Sequence, residues 1–126
     1  MSPRKILVVD TDIASRDYLS RLLEKRQCTT LETSLGKEAL ILTWRDRPDL
    51  ILVDPVLSDL PGEELIRKLR NDPRSADIPA IALSRDPNPE RKVACLEAGF
   101  NEYFHKSAEA VSALMQTLDN LLDAKP

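Results

Sequence analysis

Three short apolar runs, each closed by a polar residue, constrain this chain more than any other feature. "KILVVD" (Lys5 to Asp10), "LILVD" (Leu50 to Asp54) and "IPAIALS" (Ile78 to Ser84) are continuous, not alternating. Such runs suit strands buried on both faces, the kind found in parallel sheets. "CTTLET" adds a β-branched, alternating strand, and "NEYFHK" contains a short one. Between the strands lie segments of helical period. "IASRDYLSRLLEKR" carries Ile13, Tyr18, Leu19, Leu22 and Leu23 near helical spacing, with Asp12 as a plausible N-cap. "GKEALILTWRDR" stops at Pro48. "GEELIRKLRND" opens on acids that suit a helix N-terminus and ends before Pro73. "PERKVACLEAG" has Gly99 as its C-cap, and "SAEAVSALMQTLDNLLD" has an apolar stripe from Val111 to Leu122.

Five strands alternating with five helices predict an α/β fold, doubly wound, with a parallel sheet covered on both faces. Crossovers in such sheets are right-handed, and ligands bind at the carboxyl ends of the strands. The 126 residues suit one domain (1–126, core about 4–123). The formal net charge of −3 gives no pull toward nucleic acid or an anionic membrane. No apolar stretch is long enough to cross a bilayer, and the basic start lacks a signal-peptide core, so a cytoplasmic location is expected. Cys28 and Cys95 fit no metal or redox spacing and read as reduced thiols. His105 is the only histidine, which leaves no set for a histidine metal site. It also argues against a Ser–His or Cys–His catalytic pair, though one histidine can still act alone.

Asp10 closes the first strand, Asp54 the third and Ser84 the fourth, and the fifth leads to Lys106. In a parallel sheet these four ends share one edge. Clustered carboxylates bind a hard cation through oxygen. An aspartate can take a phosphoryl group covalently, and hydroxyl and ammonium groups stabilise that group in transit. Each residue alone is an ordinary polar strand end; the combination is what points to chemistry.

This pattern resembles the receiver domain of two-component response regulators, from Lys5 to about Leu122. Asp10 with Thr11 matches the family's acid pair, Asp54 its phospho-acceptor, Ser84 its hydroxyl and Lys106 its lysine. Gly62 matches a turn glycine, Tyr103 a switch aromatic, and "EAGFNEYF" is similar to the family's segment. The resemblance implies a flavodoxin-like (βα)5 fold with strand order 2-1-3-4-5. It implies a signalling module, not an enzyme. A histidine kinase or phosphotransfer protein would phosphorylate Asp54, with Mg²⁺ held by Asp10 and Asp54 and with Asp12 as a further candidate ligand. Ser84 and Tyr103 would switch a face for a downstream output protein or domain, or for a homodimer. No direct nucleic-acid contact is expected, since "RKLRNDPR" lacks interleaved aromatics.

Several positions depart from the family. Thr11 replaces an acid that normally ligates Mg²⁺, which implies weakened binding. Two roles are open to Asp12, reaching the metal or capping the first helix. Arg85 stands where the family has a small residue. Obstruction of the site, a grip on bound phosphate, and a salt bridge to Asp86 or simple exposure are all open to it. Ser107 replaces a proline after Lys106, so the loop loses its usual X–Pro bond and gains a helix-capping hydroxyl. Ser58 replaces a loop proline. Two readings follow: a working phospho-acceptor of altered chemistry, or a pseudo-receiver acting as a phosphorylation-independent binding module. A flavodoxin-like or nucleotide-binding enzyme shares the rhythm. It is disfavoured by the lack of a Gly-rich loop after the first strand and by only three glycines. An exposed Ile41–Trp44 pair on the second helix would anchor a partner; Trp44 folded over the helix edge is the alternative.

Overall fold

The continuous apolar runs become the central strands of one parallel sheet. The computed structural model describes residues 3–123. In chain order the elements are β1 (Lys5–Val9), α1 (Ile13–Lys25), β2 (Thr29–Thr33), α2 (Gly36–Asp46) and β3 (Leu50–Val53). They continue with α3 (Gly62–Arg70), β4 (Ala80–Ser84), α4 (Pro89–Ala98), β5 (Glu102–His105) and α5 (Ala108–Asp123). The strand order is β2-β1-β3-β4-β5, with every pairing parallel. This is the doubly wound, flavodoxin-like arrangement expected above.

Strand alternation divides the core in two. Leu7, Val9, Ile51 and Val53 point to the face covered by α2, α3 and α4, where Leu40, Leu65, Ile66, Leu69 and Cys95 meet them. Ile6, Val8, Leu50, Leu52 and Ile81 point the other way, onto Leu19 and Leu23 of α1 and Leu114, Leu118 and Leu122 of α5. Both strand faces are dry, which is why these runs do not alternate. Each fully buried Leu or Ile contributes about 1.5–3 kcal/mol relative to exposure. The cysteines are free, Cys95 buried and Cys28 partly so.

The helix ends show what local chemistry decides. Asp12 caps α1, accepting from the Ala14 N–H at 3.0 Å. Asn88 caps α4, with Pro89 in its first turn, and Gly99 closes it at φ 132°, in the region that favours glycine. Ser107 Oγ accepts from the Ala110 N–H at 3.2 Å, the capping role expected of it. α2 has no cap of its own: Asp59, from the loop after β3, accepts from Gly36 N at 2.8 Å and Lys37 N at 3.0 Å.

Two apolar expectations divide. Trp44 folds over the edge of α2, donating to Ser75 Oγ at 3.2 Å beneath the Arg74 guanidinium, 4.5 Å from the ring centroid. Ile41 alone is left exposed, so no Ile–Trp anchor forms. On α1 the spacing outruns the buried face: Ile13 is 71% exposed and Tyr18 52%. They flank the buried Leu19–Leu23 stripe instead of joining it.

Candidate functional site

Because all the strands run one way, their carboxyl ends gather on one edge. Asp10 and Asp54 follow β1 and β3 directly, and the Asp54 N–H donates to Val9 O at 2.8 Å. Lys106 follows β5, and its N–H donates to Ser84 O at 2.7 Å, which places the lysine beside the end of β4. The Lys106 ammonium then lies between the two carboxylates. Nζ donates to Asp10 Oδ2 at 2.6 Å and to Asp54 Oδ2 at 2.8 Å. The three side chains are only 10%, 3% and 11% exposed. Each carboxylate is also held by a backbone amide two residues on, Asp10 Oδ1 by Asp12 N and Asp54 Oδ1 by Val56 N, both at 2.9 Å. Both acids are thus oriented from two sides. The open side is a cleft of about 480 Å³, walled in part by Thr11, Val56, Arg85, Asp86 and Pro87.

Ser84 is fully buried at the end of β4, and its Oγ accepts from Asp86 N at 3.0 Å. A hydroxyl that accepts this way keeps its own proton to donate. Tyr103 packs against the core beside α3 and α4. Its hydroxyl is buried and, among the described residues, makes no hydrogen bond. Burial pushes the Tyr103 pKa up, and Ser84 nearby offsets this only in part.

The departures settle as follows. Thr11 is exposed on the cleft wall. Asp12 gives Oδ1 to the α1 cap, while Oδ2 lies 3.3 Å from Arg85 Nη2. Arg85 therefore faces Asp12 across the cleft mouth, a partner its sequence neighbours did not suggest. Asp86 faces a different arginine, lying 3.8 Å from Arg91 Nη1.

Arg91 is a site neighbour that motif reasoning missed. Its Nη2 donates to Pro55 O at 2.7 Å and to Glu63 Oε1 at 2.8 Å, tying α4 to the peptide beside Asp54 and to α3. Pro55 O also accepts from Gly62 N at 2.9 Å. Gly62 lies so close that an added Cβ would come 2.4 Å from Pro55 Cα, so the loop requires glycine. Arg16 was also missed; its Nη1 holds Asp10 O at 2.7 Å. Arg91 acts across long sequence separations, while Arg16 reaches back only six residues, to a backbone oxygen that no motif marks.

Among the described residues no three acidic, histidine or cysteine side chains form a metal cage. Asp10 and Asp54 nevertheless converge on one ammonium nitrogen. A pair of carboxylates beside open cleft is the donor set Mg²⁺ takes together with water and phosphate oxygens. The residues present fit that ion in its minimal form.

The family model for the response regulator receiver domain matches residues 6–119. The chain belongs to this family. Response regulator MprA of Mycolicibacterium vanbaalenii is 36% identical over 118 residues, which cover 92% of this chain and 50% of that protein. The chain thus spans half the length of this relative. The beryllofluoride-activated N-terminal receiver domain of Klebsiella pneumoniae RstA has a TM-score of 0.85 at 26% identity, covering 94% of this chain and 98% of that one. The receiver domain of sensor histidine kinase PA1611 from Pseudomonas aeruginosa PAO1, solved with magnesium coordinated in its active-site cleft, shares the fold. Its TM-score is 0.88 at 24% identity, covering 98% of this chain and all of that one. Receiver domains are signalling modules of two-component systems and work with histidine kinases and output domains. No described helix of this receiver is long and apolar enough to cross a membrane.

Proposed function

We propose that Asp54 is the phospho-acceptor of this receiver. The observation that carries the reading is the Lys106 ammonium held between Asp54 and Asp10. A histidine kinase or phosphotransfer protein in the cytoplasm presents phosphohistidine at the cleft. The free lone pairs of Asp54 attack phosphorus, the P–N bond breaks, and the imidazole leaves. Val56 N and Lys106 keep the carboxylate aimed during attack. Lys106 then meets the new phosphoryl oxygens, and Ser84 has its hydroxyl proton available to donate to them. Asp10 and Asp54 would hold Mg²⁺; when bound, that ion offsets the negative charge of the phosphoryl group. With Thr11 neutral, the site offers fewer anionic ligands, and weakened metal affinity is expected.

The switch follows from the buried hydroxyls. Ser84 ends β4, and Tyr103 lies opposite Ala82 on β5. A phosphoryl group that engages Ser84 changes the polar surroundings of the unpartnered Tyr103 hydroxyl, biasing the face of α4, β5 and α5 toward an output partner or a second copy. The test is titration with beryllofluoride, a phosphoryl mimic, read by NMR shifts at Ser84 and Tyr103. Saturable binding that requires both Mg²⁺ and Asp54, and is absent in Asp54→Asn, is the expected result. A folded protein with no response at high Mg²⁺ would overturn the assignment and leave a phosphorylation-independent binding module.

A further inference from the structure

Among the described residues, Arg85 is the cationic side chain at the cleft mouth whose job the site chemistry above does not use. At rest Lys106 lies on the floor, between Asp10 and Asp54. Arg85 instead reaches Asp12 through a single contact of 3.3 Å, with 69% and 37% of the two side chains exposed. Exposed single-contact pairs of this kind contribute only about 0.2–1 kcal/mol. The backbone beneath is fixed. Ser84 is fully buried, Asp86 N is bound to Ser84 Oγ at 3.0 Å, and His105 Nε2 lies 3.2 Å from Arg85 O. The side chain is therefore free to exchange partners while its root stays beside the acceptor.

Charge says which partner it takes. Asp10, Asp54 and Lys106 sum to one net negative charge, and Thr11 adds none. Phosphorylation turns the Asp54 carboxylate into an acyl phosphate carrying about one further negative charge. The Asp12–Arg85 pair is neutral as it stands. If Arg85 turns from Asp12 to the phosphoryl oxygens, it supplies one positive charge in the forked geometry that suits phosphate, and Asp12 keeps its helix cap.

We propose that Arg85 is a phosphoryl-positioning residue, parked on Asp12 at rest and exchanged onto the phosphoryl group once Asp54 carries it. This rests on Asp54 being the acceptor. The exchange has two consequences. Part of the charge compensation comes from the chain itself, so occupancy of the site depends less steeply on Mg²⁺. The guanidinium also covers phosphorus against water. Hydrolysis, in which water adds to phosphorus, the bond to the Asp54 oxygen breaks and inorganic phosphate leaves, is slowed.

The test compares wild type, Arg85→Ala, Arg85→Lys and Asp12→Asn for beryllofluoride affinity by calorimetry across a Mg²⁺ series, with Asp54→Asn as control. Asparagine keeps the α1 cap, so Asp12→Asn removes the charge that holds Arg85 away without uncapping the helix. Arg85→Ala is expected to weaken binding about tenfold, and most at low Mg²⁺. Arg85→Lys should restore part of the loss. Asp12→Asn should tighten binding about twofold. The tightening should vanish when Asp12→Asn is combined with Arg85→Ala, because it acts through the freed guanidinium, whereas a general change of charge near the cleft would persist in the double variant. Arg85→Ala binding like wild type, or both variants shifting together, overturns the role of Arg85 while leaving Asp54 as acceptor. Wild type that shows no Asp54-dependent binding overturns both. A second readout is the loss of label after phosphorylation by acetyl phosphate, which should be severalfold faster in Arg85→Ala. Equal rates would refute the shielding.

Discussion

Replacing Lys106 by methionine keeps most of the stem and deletes the ammonium between two nearly buried carboxylates. The two contacts, at 2.6 and 2.8 Å, each carry a gross attraction of about 6 kcal/mol at an effective dielectric near 20. Desolvation of the three charges offsets most of that. What the variant loses is set by what remains: Asp10 and Asp54 face each other, 3% and 11% exposed, without a cation. Breaking a buried pair from one side costs about 3–5 kcal/mol, and the open cleft moves this site toward the lower end, about 3 kcal/mol. For a chain of this size that corresponds to a fall in Tm of about 10 °C. Asp54→Asn leaves the Lys106–Asp10 pair intact and should stay within about 1 kcal/mol of wild type. The double variant should recover at least about 1 kcal/mol of the Lys106→Met loss, because Asp10 no longer meets a second carboxylate. Urea denaturation followed by circular dichroism, without Mg²⁺, measures all three. Lys106→Met as stable as wild type, or strictly additive variants, would refute the reasoning that the ammonium holds the site together.

Other perturbations test the supports of the site. Asp59→Ala should cost about 1 kcal/mol by uncapping α2. The Lys37 N–H, and then the Gly36 N–H, hold the Asp59 carboxyl below its usual pKa. The stability that this lowered pKa provides is present above the unfolded value of about 3.9 and is lost as pH falls through the folded one. The gap between wild type and variant in denaturation should therefore shrink below about pH 4. Gly62→Ala drives a Cβ to 2.4 Å from Pro55 Cα and should cost about 2–3 kcal/mol by urea denaturation, with weaker beryllofluoride binding as the loop after Asp54 shifts. Arg91→Ala frees the first turn of α4 from Pro55 and Glu63, and amide hydrogen exchange there should accelerate about tenfold while the sheet stays protected.

The sheet and the polar cluster at its carboxyl edge were legible because both are written in local pattern. Apolar runs without alternation mark double-sided burial, and Asp10, Asp54, Ser84 and Lys106 each sit at or just beyond a run's end. Parallel topology then brings them together without further information. What stayed hidden depends on side chains meeting across the fold. Asp12 carries one carboxylate suited to either of two roles, and only the geometry of α1 gives its Oδ1 to the cap. Arg85 finds Asp12 at the start of α1, while its neighbour Asp86 goes to Arg91. Asp59, in the loop after β3, caps a helix more than twenty positions earlier. Trp44 is tucked under Arg74 by a contact that its own helix does not encode. Its position near the amino end of β4 also makes it a poor fluorescent reporter of Asp54, which lies at the opposite edge.

The Pro55 carbonyl, one peptide beyond Asp54, receives both Gly62 N at the start of α3 and the Arg91 guanidinium of α4. Linkage makes that junction work in both directions. With Asp54 as the proposed acceptor, a protein that binds α4 and draws Arg91 away would alter the energy of holding a phosphoryl group there. By the same factor, phosphorylation would alter that protein's affinity. An output partner would then set the apparent lifetime and occupancy of the signal it reads, and phosphorylation measured on the isolated domain would differ from that in the assembled pathway.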